Sequence, residues 1–185
     1  ELIAIPSVSA DPAHQSDVVA AAEWVAERVR RAGGTAEVTP WGERPLVVGE
    51  VRASQDADSA PTILCYGHFD VQPPDPLDLW ESPPFELVDR DGWLYARGTA
   101  DDKGQLFMLL KAAELLAAAG ELPVNLRFAC DGEEEIGGHS IVDWIASDER
   151  GEDAAIVFDS GMVERDVPGF NIAVLWLFFF LAVRR

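Results

Sequence analysis

The sequence is short of several things, and each shortage removes a class of function. Basic residues are scarce: 14 Lys and Arg stand against 33 Asp and Glu, a formal charge of −19. Nucleic acid is excluded as a partner, because binding it needs a basic footprint on the phosphates. The negative field favours solubility, cationic ligands and metals. Cysteine is limited to Cys65 and Cys130, far apart and each inside an apolar, strand-like run. With no CxxC or zinc-knuckle spacing, both read as buried free thiols in a reducing, cytoplasmic compartment. The opening ELIAIPSVSA has neither a basic n-region nor a long apolar h-region, so no signal peptide is expected. It begins on Glu1 rather than an initiator methionine, and residues upstream are expected. Internal repeats are absent.

What is present is enough for one domain. A chain of 185 residues, 48% hydrophobic and 25% charged, has the composition of a globular protein with a real core. The spacing of Val18, Ala22, Val25 and Val29 predicts a helix over Gln15–Ala32, stopped by Gly33 and Gly34. Thr35–Thr39 and Leu46–Arg52 read as strands, Ala53–Pro61 as a polar loop, and Thr62–Tyr66 as a strand buried on both faces. Gln72–Phe85 is too proline-rich for regular structure, and Asp91-Gly92 marks a hairpin within Glu86–Arg97. Lys103–Ala119 is a helix with Leu106, Leu109, Leu110, Ala113 and Leu116 on one face and Gly120 as its stop. Val124–Cys130 and Ala154–Phe158 read as strands and Gly138–Ser147 as a helix. Strands alternating with helices predict an α/β domain with a mainly parallel central sheet flanked by helices.

Four polar clusters stand where that sheet should end. Gly67-His68-Phe69-Asp70 follows the third strand, and Gly98-Thr99-Ala100-Asp101-Asp102-Lys103-Gly104 precedes a helix. Asp131-Gly132-Glu133-Glu134-Glu135-Ile136-Gly137 and Asp159-Ser160-Gly161 each follow a strand. Ligands of open α/β sheets bind outside the carboxyl ends of the strands, so the four can converge. Carboxylates crowded together repel, and a divalent metal removes that cost. Imidazole with carboxylates is a ligand set that zinc accepts. An Asp two residues from a metal-binding His can hold the other ring nitrogen. In Glu134-Glu135, one carboxylate can bind metal while its neighbour stays free as a base. Taken singly, each cluster also has an ordinary reading: a surface turn, a solvated helix start, or an N-cap at Asp101-Asp102. In order, and each at an element boundary, they point to a metal site.

The run YGHFDVQPPDPLDLWESPPFELVDRDGWLYARGTADDKGQ, followed by DGEEEIGG, strongly resembles the zinc peptidase family of carnosinases and related dipeptidases. That family also includes acetylornithine deacetylase, succinyl-diaminopimelate desuccinylase, aminoacylase and glutamate carboxypeptidases. The resemblance covers most of Glu1 to about Phe170, which makes residues 1–170 part of a metallopeptidase catalytic domain. It implies two zinc ions, with Mn2+ or Co2+ as alternatives. It implies that His68 binds one metal, with Asp70 orienting it, and that Asp101 bridges both metals. Asp159 completes the first site, Glu135 binds the second metal, and Glu134 is the general base. The family reads Glu-Glu-x-Gly, which leaves Glu133 as the spare and gives Asp102 the helix start. His139 and His14 fall outside the pattern, as a helix-start or surface His and a surface His. The implied substrate is a small peptide, the proline-rich segment being closer to the dipeptidase branch, with an N-acyl amino acid as the alternative.

Two departures accompany the resemblance. The family's second metal takes a further His far downstream, and this sequence has none after His139. The smaller domain through which the parent enzyme is expected to form a homodimer is also absent, so an inactive metal-binding fragment is a third reading. Residues 171–185 then turn almost wholly apolar (NIAVLWLFFFLAVRR). The apolar stretch Ile172–Val183 is shorter than the roughly 20 residues a membrane-spanning helix needs. It reads as a buried strand, as a surface anchor ending in Arg184 and Arg185, or, the favoured reading, as the product of a frameshift or truncation; no membrane is expected.

Overall fold

The computed structural model describes residues 1–159, 162–164 and 167–168. Helix α1 (Gln15–Arg31) buries Val18, Ala21, Ala22, Val25, Ala26 and Val29, a stripe at the helical period. Arg28, Arg30 and Arg31 close its last turn, where positive charge suits the helix dipole. Strands β1 (Thr35–Thr39), β2 (Leu46–Val51) and β3 (Thr62–His68) follow. The hairpin β4 (Val88–Arg90) and β5 (Trp93–Tyr95) turns at Asp91 and Gly92, with φ of +54° and +82°. That pair of positive φ values is what a two-residue hairpin turn requires. Helix α2 (Lys103–Ala119) ends at Gly120 in the left-handed conformation. Then come β6 (Asn125–Asp131), α3 (Ser140–Ser147), β7 (Ala154–Val157) and a short hairpin of β8 (Met162–Glu164) with β9 (Val167–Pro168).

The α/β architecture is the one the sequence implies, but the central sheet is mixed. Its order is β1-β2-β6-β3-β7. β3 runs parallel to β6 and β7, whereas β2 runs antiparallel to β1 and β6. The connection of residues 40–45 is too short for a crossover, so β1 and β2 form a hairpin. One strand boundary matters for function. β3 continues past Tyr66 to His68, which pairs with Asp131 at the end of β6.

Helices α1 and α2 cover one face of the sheet, packing Val25, Val29, Leu106 and Leu110 on Val47, Cys65, Phe128 and Cys130. Helix α3 covers the other face, where Ile141 and Trp144 meet Leu46, Leu64 and Ala129. β6, between β2 and β3, is buried along its whole length. On the α3 side Arg127 is buried against Asp148, at 2.6 Å, and Glu152, with its guanidinium 5.3 Å from the Trp144 ring centre. Cys65 and Cys130 are free and buried, and burial pushes the Cys65 thiol up to about 12, which leaves it inert as a nucleophile. Among the described residues no helix is long and apolar enough to cross a membrane. The apolar segment 171–185 lies outside the described residues.

Candidate metal centre

Register brings the polar clusters to one edge. His68 and Asp131 end adjacent parallel strands. The amide of Phe158, just beyond β7, donates to the Tyr66 carbonyl at 3.2 Å, which sets Asp159 beside the end of β3. Asp101 stands two residues before α2, and Glu134 and Glu135 begin the 3-10 turn Glu134–Ile136 after β6.

The His68 ring is wholly buried, and its Nε2 faces acidic groups. Asp101 Oδ1 lies 2.9 Å away, Glu134 Oε2 3.9 Å and Asp159 Oδ2 4.0 Å. A ring nitrogen of His68, an Asp101 oxygen and a Glu135 oxygen lie within 4.8 Å of one another. The side chains of Asp101, Glu134 and Asp159 are 61%, 40% and 34% exposed, so the cluster opens to solvent on the side away from the imidazole. Burial works against a charged His68, but the Asp70 hydrogen bond and the charges of Asp70, Asp102 and Glu134 overcome it and raise the imidazole to about 10. The field that stabilises that proton would equally stabilise a cation bound at Nε2. Burial raises Glu134, and the charges of Glu135, Asp70 and Asp159 add to this against the opposing His68. A glutamate tuned upward is suited to taking and returning a proton.

The next layer fixes these groups. Asp70 is wholly buried; its carbonyl lies 3.2 Å and its Oδ1 3.3 Å from His68 Nδ1. Its Oδ2 accepts the Glu135 amide at 3.1 Å, so one aspartate touches both an imidazole and a glutamate of the cluster. Asp102 is not the helix cap the sequence implied. It occupies the N-cap position of α2 without a side-chain cap bond. Its Oδ2 accepts the His68 amide at 3.0 Å instead, because that buried strand-end donor needs an acceptor.

Glu133, read from sequence as the spare of three glutamates, is buried. Its carboxylate accepts the amides of Glu43 at 2.9 Å, Arg44 at 3.1 Å and Ser140 at 2.8 Å. Burial alone would raise Glu133; these donors hold it below the usual carboxylate value. The Glu43 partner lies 90 residues away in sequence, so no local pattern announces the contact. Gln72 was also missed. Its Nε2 donates to the Glu135 carbonyl at 3.0 Å and to Glu135 Oε2 at 2.8 Å. The available signal was the period of two that puts Asp70 and Gln72 on one side of an extended segment. His139 is exposed at the start of α3, and His14 pairs with Asp17 at 2.7 Å; neither joins the cluster.

Comparison with known proteins shows the family and the fold. The family model described as Peptidase family M20/M25/M40 matches residues 64–173. A Cys-Gly metallodipeptidase of Schizosaccharomyces pombe is 35% identical over 158 residues, 79% of this chain and 33% of that protein. A succinyl-diaminopimelate desuccinylase of Stenotrophomonas maltophilia is 40% identical over 119 residues, 64% of this chain and 29% of that protein. The crystal structure of human carnosine dipeptidase 1 superposes with a TM-score of 0.79 at 27% identity, covering 86% of this chain and 36% of that one. The chain thus spans about a third of the length of these curated relatives.

Proposed function

The chain belongs to peptidase family M20/M25/M40, and from that premise we propose that it is the metal-binding part of a dinuclear-zinc hydrolase acting on the amide bond of dipeptides or short peptides. The observation that carries this reading is the meeting of His68, Asp101 and Glu135 within 4.8 Å, with Glu134 and Asp159 within 4.0 Å of the same imidazole nitrogen. One imidazole among half-exposed carboxylates is a donor set that fits zinc, and equally Mn2+ or Co2+. In this reading His68, Asp101, Glu135 and Asp159 would hold the ions. When bound, the ions supply Lewis acidity to the amide carbonyl and to water.

The chain's own residues do the rest. Asp70, against Nδ1, fixes the tautomer that leaves the Nε2 lone pair free for a ligand bond. Glu134 takes a proton from the attacking water and returns it to the leaving nitrogen. The C–N bond breaks to give a carboxylate and an amine. Dipeptides are favoured as substrates by the Cys-Gly metallodipeptidase relative. The desuccinylase relative supports a second reading, a deacylase of N-acyl amino acids with the same core. We place the parent enzyme in the cytoplasm as a homodimer, with residues 1–170 contributing to its catalytic domain.

The test is the zinc content of the purified chain after dialysis, with Glu135→Ala and Asp101→Ala beside it. Two retained ions, lost in both variants, would support the reading. Turnover of Cys-Gly against N-succinyl amino acids would then separate the two substrate classes. Zinc no higher than in the variants would sink it.

A further inference from the structure

Glu133 is tied down through every polar atom it has. Its amide donates to Asp131 Oδ1 at 3.0 Å, and Asp131 is itself buried at the end of β6. Its carbonyl accepts the amides of Ile136 at 3.3 Å and Gly138 at 2.9 Å, which closes the turn carrying Glu134 and Glu135. Its Oε2 gathers the amides of Glu43 and Arg44 from the β1–β2 connection, and Oε1 takes the amide of Ser140 at the start of α3. Two segments, one about 90 residues earlier and one seven residues later, meet on this one side chain, and Glu133 is only 2% exposed.

Of the next two residues, Glu135 has its carboxylate held by the Gln72 side chain at 2.8 Å, and Glu134 has its carboxylate 3.9 Å from His68 Nε2. Glu134 is exposed and Glu135 half-exposed. Three glutamates in a row thus divide sharply: one fully satisfied and inward, two presented to the cluster. Buried and held by three amide donors, Glu133 is not among the residues whose ligand atoms meet at the cluster, which are His68, Asp101 and Glu135. We propose that Glu133 is a positioning residue, its carboxylate clamping the β1–β2 connection and the start of α3 so that the following Glu134-Glu135 pair is held at the metal cluster. This rests on the metal-site reading above.

A carboxylate suits the task because it offers only acceptors to three converging donors. A glutamine of the same shape must turn an NH2 group toward at least one backbone amide, which repels it. The clamp is also closely fitted: a Cβ on Gly138 would overlap Glu133 Cγ and Cδ, so Gly138→Ala disturbs it without altering Glu133 itself.

The test titrates Zn2+ into the full 185-residue chain by calorimetry and records the visible spectrum of its Co2+ form, which reports ligand geometry. Glu133→Gln and Gly138→Ala are compared with Val29→Ala, a buried α1 residue whose loss weakens the fold elsewhere. Supporting positioning residues of metal ligands are worth about 10- to 100-fold in affinity. The expected result is a loss of about tenfold or more in zinc affinity and a changed Co2+ spectrum in both clamp variants, with wild-type values in Val29→Ala at comparable loss of thermal stability. Wild-type affinity and spectrum in Glu133→Gln would overturn the proposal and leave Glu133 a fold residue only. If Glu133→Gln does not fold, Gly138→Ala decides by the same readings. Absence of binding by the wild type, or equal binding by Glu135→Ala, is a separate outcome that overturns the metal-site reading and the proposal with it.

Discussion

The carboxylate of Asp102 accepts the backbone amide of His68 at 3.0 Å, buried beneath the imidazole that faces the acidic cluster. Burial, against the opposing His68, raises Asp102 to about 8, with Asp159 and Asp101 adding to the rise. In the metal-free chain its folded-state value therefore lies above its unfolded value of 3.8. The stability it contributes is present below about pH 4 and is lost as pH rises through about 8, at no more than about 1.4 kcal/mol per pH unit. Asp102→Asn keeps an oxygen for the His68 amide and does not ionise. Between pH 5 and 8 in EDTA, the wild type is expected to lose urea stability relative to Asp102→Asn. Parallel curves for the two would contradict this.

Zinc should stabilise the fold by mass action. At about 100 times Kd, binding adds about 2.7 kcal/mol, which for a chain of this size raises Tm by about 5–10 °C. Differential scanning calorimetry should show that rise in the wild type and little of it in Asp101→Ala or Glu135→Ala. A rise of the same size in all three would place the bound ion elsewhere.

Gln72 holds both the carbonyl and the carboxylate of Glu135. Gln72→Leu removes both bonds from a half-exposed carboxylate and leaves the buried core untouched. Zinc affinity is expected to fall about tenfold while the Tm of the metal-free chain stays within about 2 °C, since exposed substitutions cost little. Calorimetric titration of the two proteins checks the first part and thermal melts the second.

Arg127 is the buried cation between α3 and the sheet, paired with Asp148 and Glu152. Burial would raise Asp148, but the Arg127 hydrogen bond and charge, with Arg150, hold it low. Arg127→Ala leaves two partly buried carboxylates facing each other and should cost about 3 kcal/mol or more in urea unfolding. The double variant with Asp148→Ala should recover part of that loss, because it removes one of the stranded charges.

Much of this was legible in the sequence. The period of apolar residues gave α1 and α2 nearly to the residue, and Asp91-Gly92 gave the β4–β5 hairpin. Element boundaries marked the clusters that hold His68, Asp101, Glu135 and Asp159, the family resemblance picked these four within them, and the fold brings them together. What was hidden depended on partners distant in the chain. The family register set Glu133 apart from Glu134 as a spare, but only the amides of Glu43 and Arg44 show that it is a buried clamp. Asp102 looked like a helix cap because its helix is local, whereas its true partner, His68, lies 34 residues earlier. The mixed sheet was hidden for a similar reason, since β2 could find β6 only across the intervening β3 and α2.

That strand order also governs how the protein comes into being. β2 and β3 are consecutive along the chain but lie on either side of β6. On the ribosome, β2 and β3 emerge with no partner strand between them until residues 125–131 have been made. At about 5–20 residues per second, the gap between finishing β2 and finishing β6 is on the order of 4–16 s. Once β3 has also been made, the nascent chain carries bare apolar strand edges on both β2 and β3, a natural substrate for a holdase. The wait ends when a single strand slots into the middle and joins β2 to β3, leaving only β7 to be added at the edge.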